Sequence, residues 1–216
     1  MTRRRLTVLA VVALAAVALY VAARRRYPSD RTPDGAYARI AKAVNLGRPE
    51  DFFAYVETAA QHAAFTIHDY RKKARDRVLA TYPEPERSRL AAEYAPEALV
   101  ADGPALFALY AERRGFMARL RRDMSGVAGV EINGDRAVVV TARGTRYAFR
   151  RRPENGIWGM TLFTATLVAE AERAARDLSM VDKAASDYAR ASPSDSARPT
   201  PLEPPASPPG SAGATP

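Results

Sequence analysis

Val127–Leu162 reads VAGVEINGDRAVVVTARGTRYAFRRRPENGIWGMTL, and its apolar side chains recur every second residue. That period belongs to strands, and three turn signals cut the stretch into four. Val127–Ile132 is the first strand, followed by Asn133-Gly134-Asp135, a strong hairpin signal, and by Arg136–Ala142 returning. Arg143-Gly144 turns the chain into Thr145–Arg151, where Thr145, Tyr147 and Phe149 share one face. Pro153-Glu154-Asn155-Gly156 turns it again into Ile157–Leu162, with Trp158, Met160 and Leu162 on one face. Four short strands joined by tight turns make an antiparallel meander with one apolar face, which helices are expected to cover.

Upstream the period is that of helices. Thr32-Pro33-Asp34 supplies a capping hydroxyl, proline at the first helical position and an acid in the first turn. Tyr37, Ile40, Ala41 and Val44 follow at helical spacing, and Gly47 stops the run. Arg48–Asp51 opens a second, longer helix whose apolar series is Phe52, Val56, Ala59, Ala63, Ile67, Tyr70, Ala74 and Val78, ended by Pro83 and Pro85. A shorter helix is expected over Glu86–Tyr94, broken by Pro96. Another starts at Asp102-Gly103-Pro104, with Leu106, Tyr110, Met117 and Leu120 on one face. Downstream of the sheet, Phe163 to about Arg190 reads as a long closing helix with Leu167, Ala171, Ala174, Leu178 and Val181 on one side. The fold class expected is α+β, with several helices, a four-stranded antiparallel meander and a long C-terminal helix.

Leu6–Ala23 is an 18-residue run without a charge. As a helix it would span about 27 Å, close to the hydrocarbon thickness of a bilayer. Arginine triplets at 3–5 and 24–26 bracket it, and Tyr20 stands at an interfacial position. The reading is an N-terminal transmembrane helix, a single-pass anchor touching membrane through residues 6–23. A cleaved signal peptide is the rival, but its apolar region usually runs only about 7–15 residues. The division is thus anchor 1–26, linker 27–31, globular domain 32–191 and tail 192–216. Eight of the 25 tail residues are proline, which a packed core cannot use.

Net charge is +9, yet residues 1–26 contribute +6, residues 27–191 +4 and the tail −1. The domain is close to balanced, so bulk charge argues against nucleic acid as a partner. Four lysines among 33 basic residues, with abundant alanine, suggest a high-GC bacterial genome. The expected location is the bacterial inner membrane, with the domain on the extracytoplasmic side.

Chemistry-bearing patterns are sparse. Zero cysteine excludes disulfides, iron–sulfur clusters and thiolate zinc. His62 and His68 are six residues apart, about 240° around a helix, and cannot chelate together. No phosphate-loop, dinucleotide, nucleophile-elbow or zincin motif is present. No cofactor, no metal and no enzymatic activity are expected. The candidates that remain are a pocket lined by Tyr147, Phe149, Trp158 and Met160, and an anionic-surface contact at Arg150, Arg151 and Arg152.

Thr32-Pro33 with the helix to Gly47, then Gly134–Val140 (GDRAVVV) and Gly156–Met160 (GIWGM), resemble the nuclear transport factor 2-like superfamily, which includes SnoaL-like polyketide cyclases. The resemblance implies a cone-shaped α+β fold that houses enzymes, binding domains and secretion accessories alike, and so does not choose a function. The expectation is a membrane-anchored, non-enzymatic binding or scaffold domain. Two alternatives stand beside it: a small-ligand or catalytic cone with a pocket under the sheet, and a cytoplasmic module meeting anionic membrane through arginines.

Overall fold

Thr32 accepts a hydrogen bond from the Gly35 amide (3.3 Å) and so starts helix α1 (Pro33–Leu46), which closes at Gly47 with φ of 70°. The computed structural model describes residues 13–17, 20 and 28–191. After α1 comes a short 3-10 helix, Pro49–Tyr55, and then α2 (Thr58–Thr81), α3 (Glu86–Ala98), α4 (Gly103–Arg113) and α5 (Phe116–Asp123). The strands are β1 (Val127–Asn133), β2 (Arg136–Thr141), β3 (Arg146–Arg151) and β4 (Trp158–Met160), and α6 (Thr164–Ala191) ends the described chain. The sheet is antiparallel in the order β1-β2-β3-β4, so the α+β meander and the long C-terminal helix stand.

Four boundaries differ from the sequence reading. The helix expected to run unbroken from Arg48 to Tyr82 is interrupted at Val56 and Glu57. There Val56 bridges β4 in parallel fashion at Met160, and the Glu57 amide donates to the Met160 carbonyl (3.0 Å). Pro96 does not break α3, which carries it in its final turn and ends two residues later at Ala98. The expected helix after Asp102 is two helices, because Gly115 takes a left-handed φ of 66° between them. Leu162 lies beyond the short β4 and is exposed.

Two apolar clusters form. The larger joins α1, α4 and the inner side of β2–β4 around Phe52, Phe107, Phe149, Met160 and Phe163. The smaller lies far along α2, where Ala74 and Val78 meet Tyr82, Tyr94, Val181 and Ala185. Between them Arg71 of α2 is buried. It pairs with Glu97 of α3 (2.8 Å) and Asp177 of α6 (2.6 Å), and its guanidinium sits over the Tyr94 ring. Tyr110 of α4 donates to the same Glu97 (3.1 Å). Glu170 of α6 is likewise buried, held between Arg114 and Arg173.

Helices do not cover the whole apolar side of the sheet. All seven residues of β1 are exposed. The expectation that helices would bury that face holds for β2, β3 and β4 and fails for β1.

Most of the apolar run 6–23 lies outside the described residues, as does the tail 192–216. Ala13–Val17 and Tyr20 are helical and exposed, Leu14 to 76%. Among the described residues no helix is long and apolar enough to cross a membrane.

Candidate functional site

The chain enters the fold by docking residues 28–32 onto β4 and α1. The Trp158 indole N–H donates to the Arg31 carbonyl (3.0 Å), and the Trp158 amide to the Asp30 carbonyl (3.4 Å). Arg39 of α1 donates to the Pro28 carbonyl (2.8 Å). Gly35 makes this approach possible, since a Cβ there would lie 1.9 Å from the Ser29 oxygen. Trp158 is therefore both a core side chain and the clamp for the incoming segment.

Beside that clamp, Arg31, Asp135, Arg151, Arg152 and the turn Pro153–Gly156 line an open cleft of about 560 Å³. The structure separates the three arginines that the sequence offered as one cluster. Arg152 is half-buried and donates to the carbonyls of Ala54 (2.7 Å) and Val56 (2.5 Å), which fastens the end of the 3-10 helix to the β3–β4 turn. Its Nε is buried without a partner among the described residues, and burial lowers its pKa. Arg150, two residues earlier, pairs with the buried Glu57 (2.8 Å), the residue after Val56. Arg151 alone of the three is exposed without an ion pair among the described residues, and it shares the cleft wall with Arg31.

Glu57 is the residue the sequence reading passed over. It stands where α2 begins and accepts from Arg150 and from the Thr164 hydroxyl (2.5 Å) at the start of α6. Two long helices thus direct their positive ends towards one buried carboxylate. Gly159 lies against it: a Cβ on that residue would be 2.8 Å from the Glu57 Cα. A glycine between Trp158 and Met160 in mid-strand was the readable sign of a close backbone crossing. Next to Glu57 a second cleft, of about 450 Å³, is lined by Arg136, Ala148, Arg150, Thr161 and Thr164. Arg136 and Arg150 are cross-strand partners there, a like-charge pair that Glu57 relieves.

The two exposed arginines separate in a measurement. Arg150→Ala leaves the Glu57 carboxylate buried without its cation and is expected to cost about 2 kcal/mol. Arg151→Ala is expected to stay within about 0.5 kcal/mol of the parent. Urea unfolding of both variants checks the contrast.

Tyr147, Phe149, Trp158 and Met160, proposed from sequence as the lining of a pocket, pack into the main cluster with their neighbours. Phe163, Phe52 and Phe107 fill the space beneath them, so the sheet rests on packed side chains where the cone reading expected a hollow. Tyr147 lies 5.7 Å from Tyr37, centroid to centroid, and its hydroxyl is buried with no partner among the described residues. Burial first, and then the neighbouring Tyr37, push its pKa up to about 12. Tyr147→Phe is expected to be neutral or to stabilise by up to about 1 kcal/mol, since it removes an unpaired buried group. The raised value means the group's contribution is intact below pH 10 and is lost as pH climbs from 10 towards 12. The phenylalanine variant should lose less stability than the parent over that window in thermal melts.

His62 is exposed, and the neighbouring Asp69 pairs with Lys73 (2.7 Å). Among the described residues no group of three or more His, Cys, Asp or Glu is placed to hold a metal ion. Compared with protein-family models, with curated proteins and with solved structures, the chain matches none.

Proposed function

We propose that the protein is a membrane-anchored, non-enzymatic binding or scaffold domain of the bacterial envelope, held by residues 6–23, with the domain on the extracytoplasmic side. The observation that carries this reading is the place where the chain enters the fold. Residues 28–32 are clamped by Trp158 next to the Arg31/Arg151 cleft, so the face where the chain enters is also one where two guanidinium groups have no ion pair among the described residues. An apolar helical stretch, Ala13–Val17, exposed on every residue, supports the anchor itself, because a folded protein in water seldom leaves such a surface bare. The commitments of the charged groups support a non-catalytic role: Glu57, Glu170 and Arg71 are all engaged in ion pairs.

Reporter fusions after Ala191 test the placement. Alkaline phosphatase activity from that position is expected, whereas a fluorescent-protein signal without phosphatase activity would put the domain in the cytoplasm. Extraction by carbonate would remove the anchor from the reading altogether.

A second reading follows from the same cleft. On either side of the membrane, Arg31 and Arg151 suit anionic headgroups. Flotation of the full chain, reconstituted beside liposomes containing about 30% anionic lipid, should show salt-sensitive bridging that Arg31→Ala with Arg151→Ala weakens. Bridging indifferent to salt and to both substitutions would remove it.

A further inference from the structure

β1 is an unprotected edge. Its sequence, VAGVEIN, holds no lysine and no proline, and its one charge, Glu131, is paired with Arg146 (2.6 Å) on the outer face of the sheet. Natural edge strands are usually blunted by charge, proline, a bulge or a covering element; β1 carries a register shift at Ala128, between Val127 and Gly129, and its residues 129–133 pair regularly with β2. Here the apolar side is bare as well. Val130 stands opposite Val139 and Ile132 opposite Ala137, both buried, so β1 continues the core face of the sheet. Yet Val127 is 42% exposed, Val130 36% and Ile132 60%. An open groove of about 420 Å³ between α1 and the start of β1, walled by Ala38, Ala41 and Val127, extends the same apolar surface.

The backbone is also available. Asn133 and Arg136 flank the two-residue Gly134-Asp135 turn and close the hairpin as its hydrogen-bonded pair. Alternation then turns the amides and carbonyls of Val130 and Ile132 to the free side. We infer that this edge pairs antiparallel with β1 of a second copy of the chain, about a two-fold axis at Val130, to make one continuous eight-stranded sheet.

Symmetry favours a second copy over an unrelated strand. With the axis at Val130, that side chain faces its own equivalent and Ile132 lies towards the irregular start of the partner's strand at Ala128, so the bare apolar row meets an apolar row. Glu131 falls opposite a glycine, position 129, instead of its own equivalent. Moving the axis one residue to Glu131 would set two carboxylates face to face, which like-charge pairing disfavours. The strand is therefore complementary to itself in one register, in backbone, apolar pattern and charge together. The two α1 helices would wall a shared apolar trough over the join.

The chain contains no cysteine, so a single introduced thiol reports on its own neighbourhood. Cα atoms of a hydrogen-bonded antiparallel pair are about 5.5 Å apart, inside the roughly 4.4–6.8 Å that a disulfide spans. Full-length Val130→Cys, oxidised in membranes, is expected to form a covalent dimer, while Leu99→Cys, on an exposed site between α3 and α4, is not. In detergent, light scattering should give the protein mass of a dimer. Val130→Lys, which sets two cations across the axis, should weaken it about tenfold or more, with unchanged circular dichroism. A monomeric parent chain, a dimer indifferent to Val130→Lys, or cross-linking as ready at 99 as at 130 would each overturn the inference. A strand donated by a different protein would show itself as the first of these.

Discussion

Replacing Arg71 with leucine is expected to lower the unfolding free energy by about 3 kcal/mol, since it leaves carboxylates facing a space built for a guanidinium. Arg71 is buried and reaches two carboxylates on two different helices, Glu97 and Asp177, at 2.8 and 2.6 Å. Glu97 keeps Tyr110 and Arg113 as partners, so Asp177 bears most of the loss. The direct check is urea unfolding of Arg71→Leu beside the triple variant that adds Glu97→Gln and Asp177→Asn. The triple variant should recover most of the deficit, because apolar and neutral groups then replace a stranded charge. Equal stability of Arg71→Leu and the parent would show that the network contributes nothing net. Hydrogen exchange should show the damage concentrated at Tyr82, Tyr94 and Val181, in the smaller cluster beyond the network.

Phe107→Ala is expected to cost about 4 kcal/mol, through lost transfer free energy and the cavity left behind. Its ring is fully buried on α4 and stands edge-on to Phe52 (5.3 Å between centroids) and Phe163 (5.1 Å), with Phe53 at 5.5 Å. Those neighbours come from the 3-10 helix and from the residues just before α6, so no single element can relax into the hole. Phe107→Leu, which keeps most of the volume, should lose less than half as much. A thermal midpoint for Phe107→Ala within the error of the parent would mean that the aromatic cluster collapses around the gap.

The meander was legible in the sequence because period two, turn chemistry and an apolar face agree over Val127–Met160. The helices were legible in number more than in extent. No local pattern announces that Val56 joins β4, since the bridge is made with a residue more than 100 positions away. The charged interior was visible in part, at positions that the apolar series stepped around. Arg71 occupies the slot between Ile67 and Ala74 on the buried stripe of α2, and Glu170 the slot between Leu167 and Ala174 on α6. Reading Tyr70 and Ala171 into those series hid both. An ionisable residue on an apolar stripe signals a partner of opposite charge: Glu97 and Asp177 for Arg71, Arg114 and Arg173 for Glu170. The three consecutive arginines show the opposite limit. Arg150 is taken up by Glu57 and Arg152 by the carbonyls of Ala54 and Val56, so the run of like charge leaves Arg151 alone of the three without such a contact among the described residues.

The clamp formed by Trp158, Asp30 and Arg31 leaves little slack. With residues 6–23 in the bilayer, only residues 24–27 separate Ala23 from the docked Pro28. Those five Cα steps reach at most about 18 Å when fully drawn out. The domain would then be unable to wander, and its cleft would meet the headgroup layer as if in a solution of them at millimolar concentration or above. On so short a leash, a contact far too feeble to be measured between separate molecules would be occupied nearly all the time. Which way the domain faces would then be decided by the clamp.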